Sequence, residues 1–403
     1  MPPEDQFFCR APSEFALRSR AEPTRQRTTR KYDFRGLEKG KGNMFIGMEG
    51  AKRDGVRDQR IAKVVELVSP ERLLGELALG EERAKAVIRG REEVRDVLQG
   101  KDPRLMVVVG PCSVHDPKAA MEYATRLSAL ARAQREELLL VMRVYFEKPR
   151  TTTGWKGLIN DPHLDESGDV NAGLRIARKL LLEVLDTGLP IGCEFLDPIT
   201  PQYIADCVAW GAIGARTSES QTHRQLASGL SMPIGFKNRT DGNIQIAVDA
   251  VRAAAAPHAF AGIDDAGQPA ILHTTGNPDC HIILRGGHGQ PNFYPPEVED
   301  ALVTLGVAGQ PERLVIDASH DNSGKDPEKQ FFAAGDIADQ VADGNKAIVG
   351  VMLESFLVEG RQNLVPGEEL VYGQSITDAC IDWEDTVQAL ERFASAVEAR
   401  RGG

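Results

Sequence analysis

HIILRGG (281–287), LVIDASH (314–320) and AIVGVMLES (347–355) follow one another across residues 281–355, each a short apolar run ending on a polar side chain. Those side chains are Arg285, His320 and Glu354. Amphipathic stretches separate the runs, which therefore read as buried strands alternating with helices, the connection that parallel strands need. Upstream, the same design recurs in VVVGPC (107–112), LLLVMRVYF (138–146), IGCEFLD (191–197), AIGART (212–217) and PIGFKN (233–238). These five present Cys112, Arg143, Glu194, Arg216 and Lys237. Eight strand–helix units predict an α/β chain folded as a closed (β/α)8 TIM barrel, in which reactive groups project from the C-terminal ends of the strands. One or two polar strand ends would merely mark where a buried run meets water. Four cations, a thiol, an imidazole and two carboxylates point instead to a site.

The length of 403 residues accommodates one large barrel with additions, since such barrels run to roughly 250 residues or more. A formal charge of −11 argues against nucleic-acid binding. No apolar stretch approaches the ~20 residues that a membrane-spanning helix needs, so no membrane role is expected. Six cysteines (Cys9, Cys112, Cys193, Cys207, Cys280, Cys380) lack paired spacing, the pattern of reduced thiols in a cytoplasmic chain.

Residues 1–43 mix Arg, Pro, Thr and Glu without apolar periodicity and read as a disordered leader. Residues 44–103 form an N-terminal extension. Its helices are expected in RIAKVVELVSPERLLGEL (60–77), with Ser69 and Pro70 as a cap, and in AKAVIRGREEVRDVL (84–98). The catalytic barrel is expected over 104–403. A β-hairpin at 258–275, inserted before strand six, suits a regulatory or oligomeric role. NSGKD (322–326) has the tail of a phosphate loop but lacks its first glycine and terminal hydroxyl residue, and is set aside.

In a barrel, Arg143, Arg216, Lys237 and Arg285 would converge with Lys148 and Arg150 of FEKPRTT (146–152). Such a cluster in an acidic chain demands anionic ligands, because guanidinium groups bind phosphate and carboxylate in bidentate fashion. Lys148 is a candidate general acid, its pKa expected to be lowered by neighbouring cations. Cys112, His320, Glu354 and Asp378 form a mixed sulfur, nitrogen and oxygen donor set. Those donors favour manganese, iron, cobalt or zinc over calcium or magnesium.

GPCSVHDP (110–117), MRVYFEKPRTT (142–152), GWKGLINDPHLD (154–165), GARTSESQ (214–221), GFKNRTDG (235–242), CHIILRGG (280–287), ASHDNSGK (318–325), ESFLVEGRQ (354–362) and YGQSITDACIDWEDT (372–386) together resemble the type I 3-deoxy-D-arabino-heptulosonate-7-phosphate (DAHP) synthases. The likeness spans roughly residues 58–402. It implies condensation of phosphoenolpyruvate with D-erythrose 4-phosphate and water, the first step of the shikimate pathway. By the same resemblance, Cys112, His320, Glu354 and Asp378 are metal ligands. Arg143, Lys148, Ala215, Arg216, Lys237 and Arg285 hold phosphoenolpyruvate, and Arg150, Thr151 and Thr152 hold erythrose 4-phosphate. Glu194 stands near the water and phosphate, with Lys148 and His320 as acid candidates. An aromatic amino-acid effector site maps to Pro201, Gln202, Leu226, Gly229, Leu230, Ser231, Phe260 and Gly262. Glycine at 262 resembles tyrosine-regulated members, where phenylalanine-regulated ones tend to have serine, and the missing hydroxyl would leave room for a phenol. A homodimer or homotetramer is implied. Three other readings compete: a 3-deoxy-octulosonate 8-phosphate type synthase, a barrel metallohydrolase, and a catalytically silent homologue. The last should have lost ligands that this chain retains.

Overall fold

Short runs of β-branched and aliphatic residues flanked by helices can satisfy their backbone groups only by pairing side by side, and here they pair until the sheet closes. The computed structural model describes residues 58–150, 153–365 and 367–402. Its strands are β1 (Leu105–Gly110), β2 (Leu138–Arg143), β3 (Ile191–Glu194), β4 (Trp210–Ile213), β5 (Ile234–Lys237), β6 (Ala259–Ile263), β7 (Pro269–His273), β8 (His281–Leu284), β9 (Leu314–Asp317), β10 (Ile348–Glu354), β11 (Val358–Arg361) and β12 (Gln374–Ser375). The helices are α1 (Pro70–Glu76), α2 (Glu81–Leu98), α3 (Pro117–Ala133), α4 (Val170–Asp186), α5 (Pro201–Ile204), α6 (Gln221–Gly229), α7 (Gln245–Ala254), α8 (Pro295–Val307), α9 (Pro327–Ala342) and α10 (Trp383–Gly402).

Eight strands close in the order β1-β10-β9-β8-β5-β4-β3-β2, every pair parallel. This is the (β/α)8 barrel expected from the runs. β6 and β7 form a separate antiparallel hairpin between the fifth and sixth barrel strands, with Phe260 opposite Leu272 and Gly262 opposite Ala270. Strand side chains alternate between two cores. Val107 and Val109 of β1 join the layer under the helices, while Met106 and Val108 point into the barrel with Leu139, Val141, Ile283, Val315 and Met352.

Val94 and Val97 of α2 belong to that inner cluster. Gly90, in the same helix, lies so close to the starts of β3 and β4 that a Cβ would sit 3.2 Å from Ala209 and 3.3 Å from Pro190. Helix α2 therefore covers the N-terminal end of the barrel, and the polar strand ends open at the other.

The chain divides into two compact units, residues 1–65 and 66–403. The described part of the first, Asp58–Val65, contains no helix or strand. All elements named above belong to the second. Helix α1 starts at Pro70 with Ser69 at the N-cap position, as the Ser69–Pro70 pair predicts, although the Ser69 side chain makes no capping hydrogen bond; residues 60–69, also expected to be helical, hold no helix. Proline disfavours helical backbone in the residue before it, and Val64 and Val65 add β-branched resistance upstream. The expected leader, 1–43, lies outside the described residues. Among the described residues, no helix is long and apolar enough to cross a membrane.

Candidate active site

Arg143, Glu194, Lys237 and Glu354 are the last residues of their strands, and Cys112, Arg216, Arg285 and His320 follow theirs within three residues. Because β10 lies between β1 and β9, with β2 beyond β1, the side chains of Glu354, Cys112, His320 and Arg143 share one sector of the mouth. The turn into Cys112 needs glycine. Gly110 has φ 154°, and a Cβ there would lie 2.7 Å from the Arg143 carbonyl oxygen.

Cys112 Sγ and one carboxylate oxygen each from Glu354 and Asp378 lie within 4.8 Å of one another. Asp378 comes from the loop between β12 and α10. That loop is pinned to the end of β1 by a Ser113–Thr377 hydroxyl contact of 2.7 Å and a Cys112 N–H donated to Cys380 Sγ at 3.4 Å. His320 stands beside this triplet, its Nε2 facing Glu354 Oε1 at 3.8 Å. Its Nδ1 is held by Asp317 Oδ2 at 2.8 Å and Ser319 Oγ at 2.6 Å. A carboxylate on Nδ1 leaves Nε2 as a bare acceptor, the tautomer that a metal requires. Sulfur, imidazole and two carboxylates with that support fit a first-row divalent ion.

Burial pushes the Cys112 thiol up to about 11, with Glu354 adding to the effect and Lys148 opposing it. A metal bound here would displace that proton. Burial also resists ionisation of Glu354 and Asp378, yet both stay below the ordinary carboxyl range. His320, Arg143 and Lys148 hold Glu354 down, and Lys148, His320 and Lys325 hold Asp378 down.

The cations do not stand bare. Arg143, buried, donates from Nη2 to Glu354 Oε1 at 2.8 Å and lies over the Tyr145 ring at 3.8 Å. Lys237 donates to Asp317 Oδ2 at 2.7 Å, and Arg285 pairs with Asp321. The expectation that anionic ligands alone must balance these cations is thus corrected. Two donors nonetheless remain buried without an acceptor, Arg143 Nη1 and Arg285 Nε. Arg216, exposed beside half-buried Ala215, has no partner among the described residues.

Lys148 donates to Cys112 Sγ at 3.0 Å and lies 4.0 Å from Asp378 Oδ2. Its expected neighbours were cations. Burial does lower its pKa, but Cys112, Glu354 and Asp378 outweigh burial and raise it, so the ammonium is protonated at neutral pH. Arg150 is exposed and donates to the Trp155 carbonyl at 2.8 Å. Thr151 and Thr152 lie outside the described residues. Glu194 is buried, its Oε1 only 2.3 Å from where a Cβ on Gly214 would stand.

Three residues that shape the site were not singled out from sequence. Asp317 bridges Lys237 and His320, and its signal was a lone carboxylate inside the apolar run LVIDASH. Gln330 of α9 brackets Glu354, donating to its carbonyl and accepting from its N–H, both at 2.8 Å. Tyr145 supports Arg143. Nothing in the sequence distinguishes either of the last two from ordinary core residues.

A thiol and two carboxylates gathered beside buried arginines at a barrel mouth meet a matching comparison. Residues 79–391 match the DAHP synthetase I family. The chain belongs to this family. It is 57% identical over 345 residues to the Phe-sensitive phospho-2-dehydro-3-deoxyheptonate aldolase of Escherichia coli (strain K12), covering 86% of this chain and 98% of the relative. It is 52% identical over 336 residues to the Tyr-sensitive enzyme of the same organism, covering 83% and 94%. A solved phospho-2-dehydro-3-deoxyheptonate aldolase from Francisella tularensis SCHU S4 superposes with a TM-score of 0.83 at 50% identity, covering 85% of this chain and 100% of that one. Membership makes the chain an enzyme, a DAHP synthase of the first type.

This DAHP synthase carries a second cavity, of about 750 Å³, between α5, the end of α6 and the β6–β7 hairpin. Pro201, Gln202, Leu226, Gly229, Leu230, Ser231 and Phe260 line it; Gly262 does not, although Leu272 beside it does. A Cβ on Gly262 would meet Leu272 Cδ1 at 2.7 Å. Gly262 therefore acts on the cavity only through Leu272, which a larger residue at 262 would push aside.

Proposed function

We propose that the barrel mouth condenses phosphoenolpyruvate with D-erythrose 4-phosphate and water, giving DAHP and inorganic phosphate, the opening step of the shikimate pathway. The observation that carries this reading is the Cys112–Glu354–Asp378 cluster next to a protonated Lys148 and two buried guanidinium donors without acceptors. Arg143 Nη1 and Arg285 Nε offer the carboxylate and phosphate of the enol substrate hydrogen bonds that nothing else takes, and a buried orphan donor gains most from such a partner. Lys237, Arg216, Ala215 and Lys148 complete that cradle, and Arg150, Thr151 and Thr152 receive the phosphate of the aldehyde. Manganese, iron, cobalt or zinc held by Cys112, His320, Glu354 and Asp378 would supply Lewis acidity toward the aldehyde oxygen.

C3 of the enol attacks the aldehyde carbon, and Lys148 gives the new alkoxide its proton. His320, the other acid candidate, turns Nδ1 to Asp317 and Nε2 toward the metal ligands, which favours Lys148. Positive charge develops at C2, where water adds under the influence of Glu194. Phosphate then leaves by C–O cleavage into the guanidinium and ammonium groups that already face it.

The second cavity is the candidate aromatic amino-acid site. Its size and its polar lining by Asp265, His273 and Thr274 suit tyrosine, whose phenol needs a hydrogen-bond partner. Unpaired cysteines among the described residues support a cytoplasmic placement, and a homodimer or homotetramer is expected. The test follows phosphate release from phosphoenolpyruvate with and without erythrose 4-phosphate, after chelation and with each metal restored. Aldehyde-dependent release that chelation abolishes is expected. No such release with any metal would overturn the proposal.

A further inference from the structure

The NSGKD segment does not form a phosphate loop, but its lysine reaches the candidate metal site. Lys325 Nζ lies 2.8 Å from Asp378 Oδ1, while Oδ2 of the same carboxylate is the atom 3.6 Å from Cys112 Sγ. The two oxygens are thus divided, one toward solvent and one toward the thiol. The Lys325 N–H donates to the His320 carbonyl at 2.8 Å, closing a tight turn. His320, Gly324 and Lys325 are all left-handed in it, at φ 58°, 63° and 65°, which is uncommon for residues bearing a Cβ. One end of this turn sends an imidazole toward Glu354, and the other sends an ammonium to Asp378.

We propose that Lys325 is a positioning residue for the metal site: a strap that joins the loop after β9 to the loop before α10 and fixes Asp378 with one oxygen facing the ion. The proposal rests on the metal reading given above. Two effects of Lys325 oppose each other. Its charge repels a divalent ion, but the side chain is 44% exposed and solvent screens that repulsion. Its grip on a ligand's second oxygen is the kind of outer contact whose removal costs about 10- to 100-fold in metal affinity. The second effect dominates.

The test titrates the chelator-stripped full chain with cobalt(II), following thiolate-to-cobalt charge-transfer absorption and the visible d–d bands. Wild type, Lys325→Met and Lys325→Arg are compared. Lys325→Met is expected to raise the cobalt Kd about 10- to 100-fold and alter the d–d bands, with Lys325→Arg restoring most of the affinity. A Lys325→Met chain with wild-type Kd and unaltered bands overturns the strap, as does an Arg variant no better than Met. A wild-type chain without a charge-transfer band would overturn the metal reading, and the strap with it.

Discussion

Lys148 meets the Cys112 sulfur at 3.0 Å with the Glu354 and Asp378 carboxylates nearby, contacts that keep it protonated and suit it to the proposed role of proton donor. Lys148→Ala is expected to retain metal, read by cobalt absorption, while turnover falls by about 10²–10⁴-fold. Near-normal turnover would remove it from the acid role. Asp317 is buried beneath the same site, and Asp317→Ala would leave Lys237 charged and unpaired in the barrel. Breaking a buried pair in this way costs about 3–5 kcal/mol, so a clear fall in melting temperature is expected. Glu147 gives a pH signature. Burial and Asp197 raise its carboxyl from 4.5 to about 7, although it accepts hydrogen bonds from Thr200 Oγ1 and Leu196 N–H. With the folded value above the unfolded one, the unfolded chain releases the proton first as pH rises. Stability is therefore lost between about pH 4.5 and 7, by an amount on the order of 3 kcal/mol. Glu147→Gln should melt higher than wild type near about pH 8 and show little gain near about pH 4.5, and equal melting at both would refute the assignment. At this scale the sequence named which residues carry charge but not which charges meet. The basic run around Lys148 suggests cationic neighbours, whereas the groups that meet it come from the turn after β1, the end of β10 and the loop before α10.

Strands and their order of appearance were readable, because eight runs ending in polar residues leave few alternatives to a closed parallel barrel. The hairpin before the sixth barrel strand was readable too, from two short runs, HAFAGI (258–263) and PAILHTT (269–275), set either side of Asp264–Gln268. The Ser69–Pro70 start of α1 was likewise readable, but the absence of helix just before it was not, since apolar spacing over residues 60–69 mimics a helix that Pro70 and the β-branched pair before it prevent. Nor was the close approach of neighbouring strand ends. Gly214, one residue past β4, faces the Glu194 carboxylate of β3 so tightly that Gly214→Ala must displace it. This variant is expected to fold and to bind cobalt normally but to lose turnover. Wild-type turnover would show that Glu194 tolerates movement and does not manage the water.

Across the whole molecule, the cavity proposed to take an aromatic effector is built largely from α5, α6 and the inserted hairpin, none of which supplies a candidate residue to the barrel mouth. Phe260→Ala should consequently leave basal turnover intact and abolish inhibition by tyrosine. Strong inhibition by phenylalanine with indifference to tyrosine would overturn the effector assignment. Helix α2 has a different consequence. With Val94 and Val97 stoppering one end of the barrel, the candidate site opens, among the described residues, at the other end, and traffic through that door must queue. The deepest berths belong to Arg143, Lys237 and Arg285, at most 5% exposed, whereas Arg150 stands at the threshold. The enol phosphate should board first and the aldehyde second, and a saturating aldehyde analogue should trap bound phosphoenolpyruvate inside.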